Sequence, residues 1–272
     1  MPARRRNVSE GRCRRGGGVR GLPATPAGWF SLCAARYFET YGAGREDLAR
    51  IAVKNHHNGT LAPKSMLKRE ITVDDVLKAR IISWPFGLYD CAAQSDGAAA
   101  AIITRKELAK TFRDDYVLVR AIAIALGPNP QEDPSFDFLR WKPTMSAARQ
   151  AYEQAGITNP LKEIHLAQLH DCFTLTELLS YEDLGFCEKG SAKEHIQSGT
   201  FALEGELPVN TDGGLKTFGH PTGATGARMI YENYKQVQGK ADKGQVKDAT
   251  VALSHNLGGA PQSCGVCILG MP

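Results

Sequence analysis

His220 lies within the run Gly219–Gly226 (GHPTGATG), and fifty residues upstream His170, Asp171, Cys172 and Phe173 (HDCF) form a second polar cluster. The first run reads as a glycine-rich turn that delivers an imidazole to the start of a helix. The second closes the apolar stretch Ile164 to Leu169 and opens another helical pattern. An imidazole and a thiol are side chains that move protons or form covalent bonds near neutral pH, so two such loops meeting at one pocket would supply acid, base or nucleophile. Taken singly, a histidine on a loop is more often a hydrogen-bonded structural residue.

The elements that must position these loops follow from hydrophobic spacing. Trp29, Leu32, Cys33, Tyr37 and Phe38 mark a helix over Pro26 to Tyr41, which Gly42 and Gly44 stop. Arg45 to His57 reads as a second helix, Thr72 to Lys78 as a helical turn in a loop-rich region, and Lys106 to Phe112 as a short helix. Asp90 to Thr104 reads as a turn followed by a buried strand. Further strands are expected over Val117 to Leu126, Ile164 to Leu169, Ala249 to Leu253 and Gly265 to Leu269. Helices are expected over Met145 to Ala155, Leu175 to Leu184, Ala192 to Ser198 and Ala224 to Gln238, with a loop from Val209 to His220. Alternating strands and helices predict an α/β layered fold with both sheet faces covered. His56 and His57, beside Asn55 and Asn58, are expected to be exposed.

The composition of the 272 residues, 42% hydrophobic and 23% charged, is that of a globular protein. No apolar run approaches the roughly 18 residues of a membrane helix. Residues 1–24 differ from the rest: seven arginines, one glutamate and the Gly16–Gly18 run predict a disordered leader. Without that leader the net charge of +4 falls to about −2, which argues against a nucleic-acid surface on the body. Seven cysteines, an odd number, and no apolar secretory signal point to a reducing, cytoplasmic location. Cys264 and Cys267 have CxxC spacing but sit in an apolar run that reads as a buried strand, and no second ligand pair is suitably spaced, so no metal is expected.

These residues resemble the thiolase family, in the branch that includes the thiolase domain of sterol carrier protein X and related bacterial and archaeal proteins. GHPTGATG is similar to the family's GHPxGxTG loop, and HDCF to the motif this branch carries in place of the NEAF of classical thiolases. Tyr41 to Gly59, Asp90 to Ala99 and His255 to Gly259 (HNLGG) are similar to further family segments in the same order, so the resemblance runs from about Gly28 to Gly270. It implies an α-β-α-β-α layered fold with an incomplete N-terminal half and a complete C-terminal half. The implied division is residues 25–115, an N-terminal remnant with the loop domain, and residues 116–272, the C-terminal domain.

The resemblance implies acyl transfer between thioesters, with coenzyme A as cosubstrate, an acyl-CoA substrate and no bound cofactor. His220 matches the base that activates the nucleophile, and Cys172 the second acid/base. His170 matches an oxyanion residue, and His255, Asn256, Gly258 and Gly259 a supporting loop. Gly219 and Gly223 match substrate-binding positions. A homo-oligomer is implied for the family's full-length form.

The family's nucleophilic cysteine has no match. Cys13 stands among arginines, Cys33 in a helical pattern, and Cys91 before the DGAAA run. Three expectations compete: a truncated gene model, a product that works with a separate N-terminal polypeptide, or a catalytically dead scaffold. Truncation is the simplest, because missing strands would leave apolar sheet faces uncovered. Two alternatives to acyl transfer are a retro-aldolase on the same fold, working with a small OB-fold partner, and a non-catalytic subunit that binds acyl-CoA or lipid.

Overall fold

A computed structural model describes residues 25–130, 132–259 and 261–272. The arginine-rich leader and Cys13 lie outside the described residues.

Helix α1 (Pro26–Tyr41) begins where Thr25 Oγ1 accepts from Gly28 N, with proline in its first turn, and ends at Gly42 in the left-handed region (φ +67°). Gly44 precedes α2 (Arg45–Leu61), the capping Thr72 precedes α3 (Val73–Lys78), and a small hairpin of β1 (Ile81–Ser83) and β2 (Phe86–Gly87) follows. Helix α4 (Lys106–Phe112) leads to the long strand β3 (Leu118–Leu126) and to α5 (Lys142–Ala155). Then come α6 (Pro160–Glu163), β4 (Leu166–Gln168), α7 (Thr174–Asp183), α8 (Ala192–Ser198), α9 (Gly214–Phe218), α10 (Thr225–Val237), β5 (Val251–Gly258) and β6 (Ser263–Gly270).

The main sheet has the order β3–β6–β5–β4, antiparallel except for the parallel pair β4 and β5. Val209 bridges Ala167 in parallel beyond β4 and so marks a fifth lane. On one face, Ala121, Ala123 and Ala125 of β3 and Ala147, Ala148 and Ala151 of α5 share one buried core, and these small side chains let helix and sheet pack closely. Helix α10 packs against β4, β5 and β6.

Helix α7 is buried along its whole length, charged residues included. Each of its acids is held by several donors. Glu182 accepts from Tyr37 Oη and from the amides of Gly190 and Ala192, and Asp183 accepts from the Trp141 amide and Lys189. Buried carboxylates persist only when so compensated, and here the compensation ties α1, α5 and the segment before α8 to one central helix.

Most of the expected elements form, with ends shifted by a few residues. The expected strand within Asp90 to Thr104 does not: residues 95–105 are irregular, and Ile102 is 100% exposed. Its apolar pattern suits a strand, but no strand among the described residues lies beside it to complete the ladder. The second face of the sheet is covered only in part, by α10 over β4, β5 and β6. Ile122, Ile124 and Leu126, on the side of β3 opposite the buried alanines, are 59%, 70% and 80% exposed. The segment expected to be a loop over Val209 to His220 contains α9, and the HNLGG segment runs from strand β5 into its turn. His56 is buried, with its Nδ1 2.9 Å from the Arg69 carbonyl, whereas His57 is exposed as expected.

Candidate active site

The two motif loops meet through a third segment. Cys91 pairs with Phe173 and Gln94 with His220 in isolated β-bridges, Ala92 N donates to Cys172 O (2.9 Å), and His220 N donates to Ala93 O (2.8 Å). Four consecutive residues, 91–94, therefore splint HDCF to GHPTGATG. Backbone hydrogen bonds need no particular side chain, so nothing in the sequence marks this role.

His220 is half-buried at the entrance to α10. Its Nδ1 lies 2.8 Å from Thr225 Oγ1, whose own proton goes to Pro221 O (3.1 Å). The hydroxyl must therefore accept from Nδ1–H, which leaves Nε2 with its lone pair, the form a general base requires. Burial, and secondarily the Arg228 guanidinium, hold the imidazole pKa below 6.5. Arg228 itself is fixed by a buried ion pair with Asp212 and lies over the Phe218 ring, 4.7 Å from its centroid.

The His170 ring meets that of His220 edge-on, with centroids 5.2 Å apart. Its Nδ1 is 2.5 Å from Asn256 Oδ1, which joins the sequence-predicted His170 and Asn256. Burial, with lesser contributions from His220 and Arg228, lowers the pKa of His170 to about 3. His255 lies behind this pair, completely buried, between Thr144 Oγ1 (3.2 Å) and Ser180 Oγ (3.5 Å), and burial lowers it to about 3 as well. Its position is that of a support within the core, with no face toward the pocket.

Cys172 Sγ lies 3.8 Å from Thr176 Oγ1, and burial pushes its thiol up to about 12. At neutral pH it is a proton-bearing acid and not a thiolate. The same holds for the other described cysteines: Cys33, Cys91, Cys187, Cys264 and Cys267 are all raised, chiefly by burial. None of the six is an activated nucleophile. Cys264 and Cys267 lie in β6, as their apolar setting predicted.

The glycines divide by role. Gly219 has φ +115°, and a Cβ there would stand 2.7 Å from Met66 Sδ and Ser95 Oγ. Gly223 is exposed, with nothing within 4 Å of a Cβ, and lines an open cavity of about 430 Å³ with Ser95–Ala99 and Pro221. A Cβ on Gly258 would collide with Ser263 Oγ at 2.4 Å, while Gly259 (φ +70°) makes the turn into β6.

Asp171, quoted in the motif but given no role from sequence, proves central. It is fully buried and accepts from Leu215 N (2.6 Å), Lys216 N (3.2 Å) and Asn55 Nδ2 (2.9 Å), so it anchors α9 and the approach to His220. Burial and the Glu177 charge raise its carboxyl to about 7. Only its place beside His170 and Cys172 could have drawn attention to it.

Residues 134–271 match the family described as thiolase C-terminal domain-like, which is half of the chain and includes both motif loops. The chain belongs to the thiolase family. The acetyl-CoA acetyltransferase of Methanothermobacter thermautotrophicus is 38% identical over 239 residues, 88% of this chain and 62% of that protein. Sterol carrier protein 2 of Oryctolagus cuniculus is 35% identical over 244 residues, 88% of this chain and 44% of that protein. This thiolase-family chain thus spans less than two thirds of either curated relative. The solved structure of the Ltp2-ChsH2(DUF35) aldolase superimposes with a TM-score of 0.81 at 31% identity, over 91% of this chain and 64% of that one. Among the described residues no cluster of His, Cys, Asp or Glu could hold a metal, and no helix is long and apolar enough to cross a membrane.

Proposed function

We propose that this chain carries the acid/base half of a thiolase-type acyl-CoA acyltransferase site, with coenzyme A as cosubstrate. The observation that carries the reading is the splint at residues 91–94. It holds a neutral His220 with a free Nε2 and a protonated Cys172 on adjoining loops beside His170.

In the degradative direction a thiolate attacks the 3-keto carbon of the substrate, and the C2–C3 bond breaks with its electron pair left on C2 as a thioester enolate. The Cys172 S–H gives its proton to C2, for which a thiol raised to about 12 is suited. His220 Nε2 then takes the proton from the thiol of coenzyme A, which attacks the acyl-enzyme and releases the nucleophile, and that proton passes to the Cys172 thiolate, so both groups return to their starting forms. The oxyanion falls to the His170–Asn256 pair, with His255 behind it and Gly258 and Gly259 shaping the end of β5. Gly219 and Gly223 border the substrate entrance. The attacking thiolate comes from outside the described residues, on a further segment or a second polypeptide that covers the open face of β3. The reading includes the division at residues 115/116, a homo-oligomer for the full-length form, and a cytoplasmic location. The six cysteines among the described residues are all free, in keeping with a reducing compartment.

The test needs no nucleophile. Acetyl-CoA incubated with the protein in deuterium oxide should gain deuterium at C2, with His220 taking the Cys172 proton and the resulting thiolate removing the proton from C2, and Cys172→Ser should abolish the gain. If acetyl-CoA binds yet exchanges no faster than in buffer, the acyl-transfer reading fails.

A second reading is retro-aldol cleavage with an OB-fold partner. It is favoured by the absence of an activated cysteine among the described residues and by the 0.81 superposition on an aldolase. Such a reaction forms no acyl-enzyme, and a partner-dependent aldehyde or ketone product without thioester turnover would select it.

A further inference from the structure

A separate cavity of about 340 Å³ lies between α2, the start of α3 and the turn after α8. Arg50, Lys54 and His57 recur on one face of α2 at helical spacing and line it together with Ile51, Val53 and Asn58. The opposing wall is apolar: Val73, Ile196, Phe201 and Leu203. Its floor is preformed, because the Tyr181 and Phe201 rings stack with centroids 3.7 Å apart, and Ala202 N donates to Gly199 O (3.0 Å) to close the turn.

The charge of this cavity is one-sided. Three basic side chains line it and no carboxylate does. Arg50 and His57 pair with Glu46 and Glu70, which are exposed. Lys54 is the inner cation. Its ammonium is 2.6 Å from Glu177 Oε1 and 2.8 Å from Val209 O, and a lysine has three N–H donors, so one remains. A largely buried ammonium, paired with Glu177 and holding one further N–H beside an apolar wall, matches an amphiphile with a single anionic head, and the volume suits a chain on the order of ten carbons.

We infer that this cavity is a binding site for a medium-chain fatty acid, whose carboxylate accepts from Lys54 while its tail lies against Val73, Phe201 and Leu203. The site is distinct from the His170–His220 pocket, and the inference does not rest on the acyl-transfer reading. It does adjoin that pocket through hydrogen bonds. Glu177 Oε2 accepts from Asn55 Nδ2 (2.7 Å), and the same nitrogen donates to Asp171 (2.9 Å), beside Cys172.

Calorimetric titration of the whole chain with sodium decanoate and with decan-1-ol tests the inference. Decanoate should bind at least about tenfold more tightly than the alcohol, and Ala202→Trp, which fills the cavity from its rim, should weaken decanoate by at least about tenfold. Lys54→Gln should remove the preference for the acid. Because that change also strips a partner from buried Glu177, Ala202→Trp decides the matter if Lys54→Gln does not fold. Ile124→Lys, on the open face of β3, should leave decanoate binding unchanged. Equal affinity for acid and alcohol, unaltered binding in Ala202→Trp, loss of binding in Ile124→Lys, or no saturation up to about 1 mM would each overturn it.

Discussion

The rings of His170 and His220 stand edge to face, with centroids 5.2 Å apart and planes at 88°. Two imidazoles this close cannot both be cations at low cost, and burial already disfavours charge on each. The pair is thus held neutral, and each ring has its Nδ1 engaged by a separate partner, Asn256 for His170 and Thr225 for His220.

His220 is expected to remain a base in mildly acidic solution. Its pKa lies below 6.5, so the acid limb of the exchange or turnover profile should fall below that of a free histidine. Arg228→Gln removes the second cause and should move the limb upward, read by the pH profile or by proton NMR of the ring. An unmoved limb would show that Arg228 does not act on His220.

The tautomer of His170 can be fixed by mutation. With the Asn256 amide oxygen opposite, Nδ1 carries the proton, whereas donating to an oxyanion through Nε2 requires the amide to present its nitrogen instead. Asn256→Asp allows only the first arrangement. It should cut deuterium exchange by about tenfold or more, one step of roughly 1.4 kcal/mol, with acyl-CoA affinity little changed. Ring nitrogen shifts in labelled protein report the tautomer directly.

Asp171 should make the stability of the protein depend on pH. Its folded carboxyl titrates at about 7 against 3.8 unfolded, so between these values the folded state holds more protons. Stability from this group is therefore present below pH 3.8 and is lost as the pH rises toward 7. His170 and His255, lowered to about 3, act oppositely: their contribution is complete above 6.5 and is lost as the pH falls. Asp171→Asn should lower stability overall, because an amide cannot accept on both sides. It should also steepen the rise in stability from pH 4 to pH 7 by on the order of 1.4 kcal/mol per pH unit. Urea unfolding at several pH values measures the slope, and an unchanged slope would place the Asp171 pKa near normal.

Two glycines of one loop should respond differently to alanine. Gly219→Ala places a side chain at φ +115° and should cost about 1–3 kcal/mol, mainly as backbone strain because Met66 and Ser95 can swing aside. Gly223→Ala meets nothing and should stay within about 0.5 kcal/mol. Thermal unfolding of both variants tests the contrast, and equal losses would sink the strain argument.

The outer face of β3 should be adhesive. Ile122, Ile124 and Leu126 form an exposed apolar row on an edge strand, whose backbone at Ile122 is met by the Gln154 amide (3.1 Å for each bond). The isolated chain is expected to self-associate at micromolar concentration. Ile122→Lys with Ile124→Lys should give a monomer of unchanged helical content by light scattering and circular dichroism.

Periodicity alone located α1, α5, α7, α8 and α10 to within a few residues, because Trp29, Cys33 and Tyr37, and their counterparts elsewhere, repeat at the helical interval with caps at the ends. The motif residues were also legible: His170, Cys172 and His220 are distinctive side chains in distinctive glycine-rich or polar settings. The same local rules failed at Asp90 to Thr104. A strand exists only if another strand takes up its hydrogen bonds, and that depends on what lies beside it in space.

What the chain's own residues settled was therefore most of the helices, most of the strands, and the two motif loops that carry His170, Cys172 and His220. The tertiary structure decided how those groups behave. Burial turned Cys172 into an acid and sank His255 into the core. The partner of Thr225 set the tautomer of His220, and the backbone of residues 91–94 brought the two loops together. Charge state and proton position depend on desolvation and on neighbours distant in sequence, so no linear pattern encodes them.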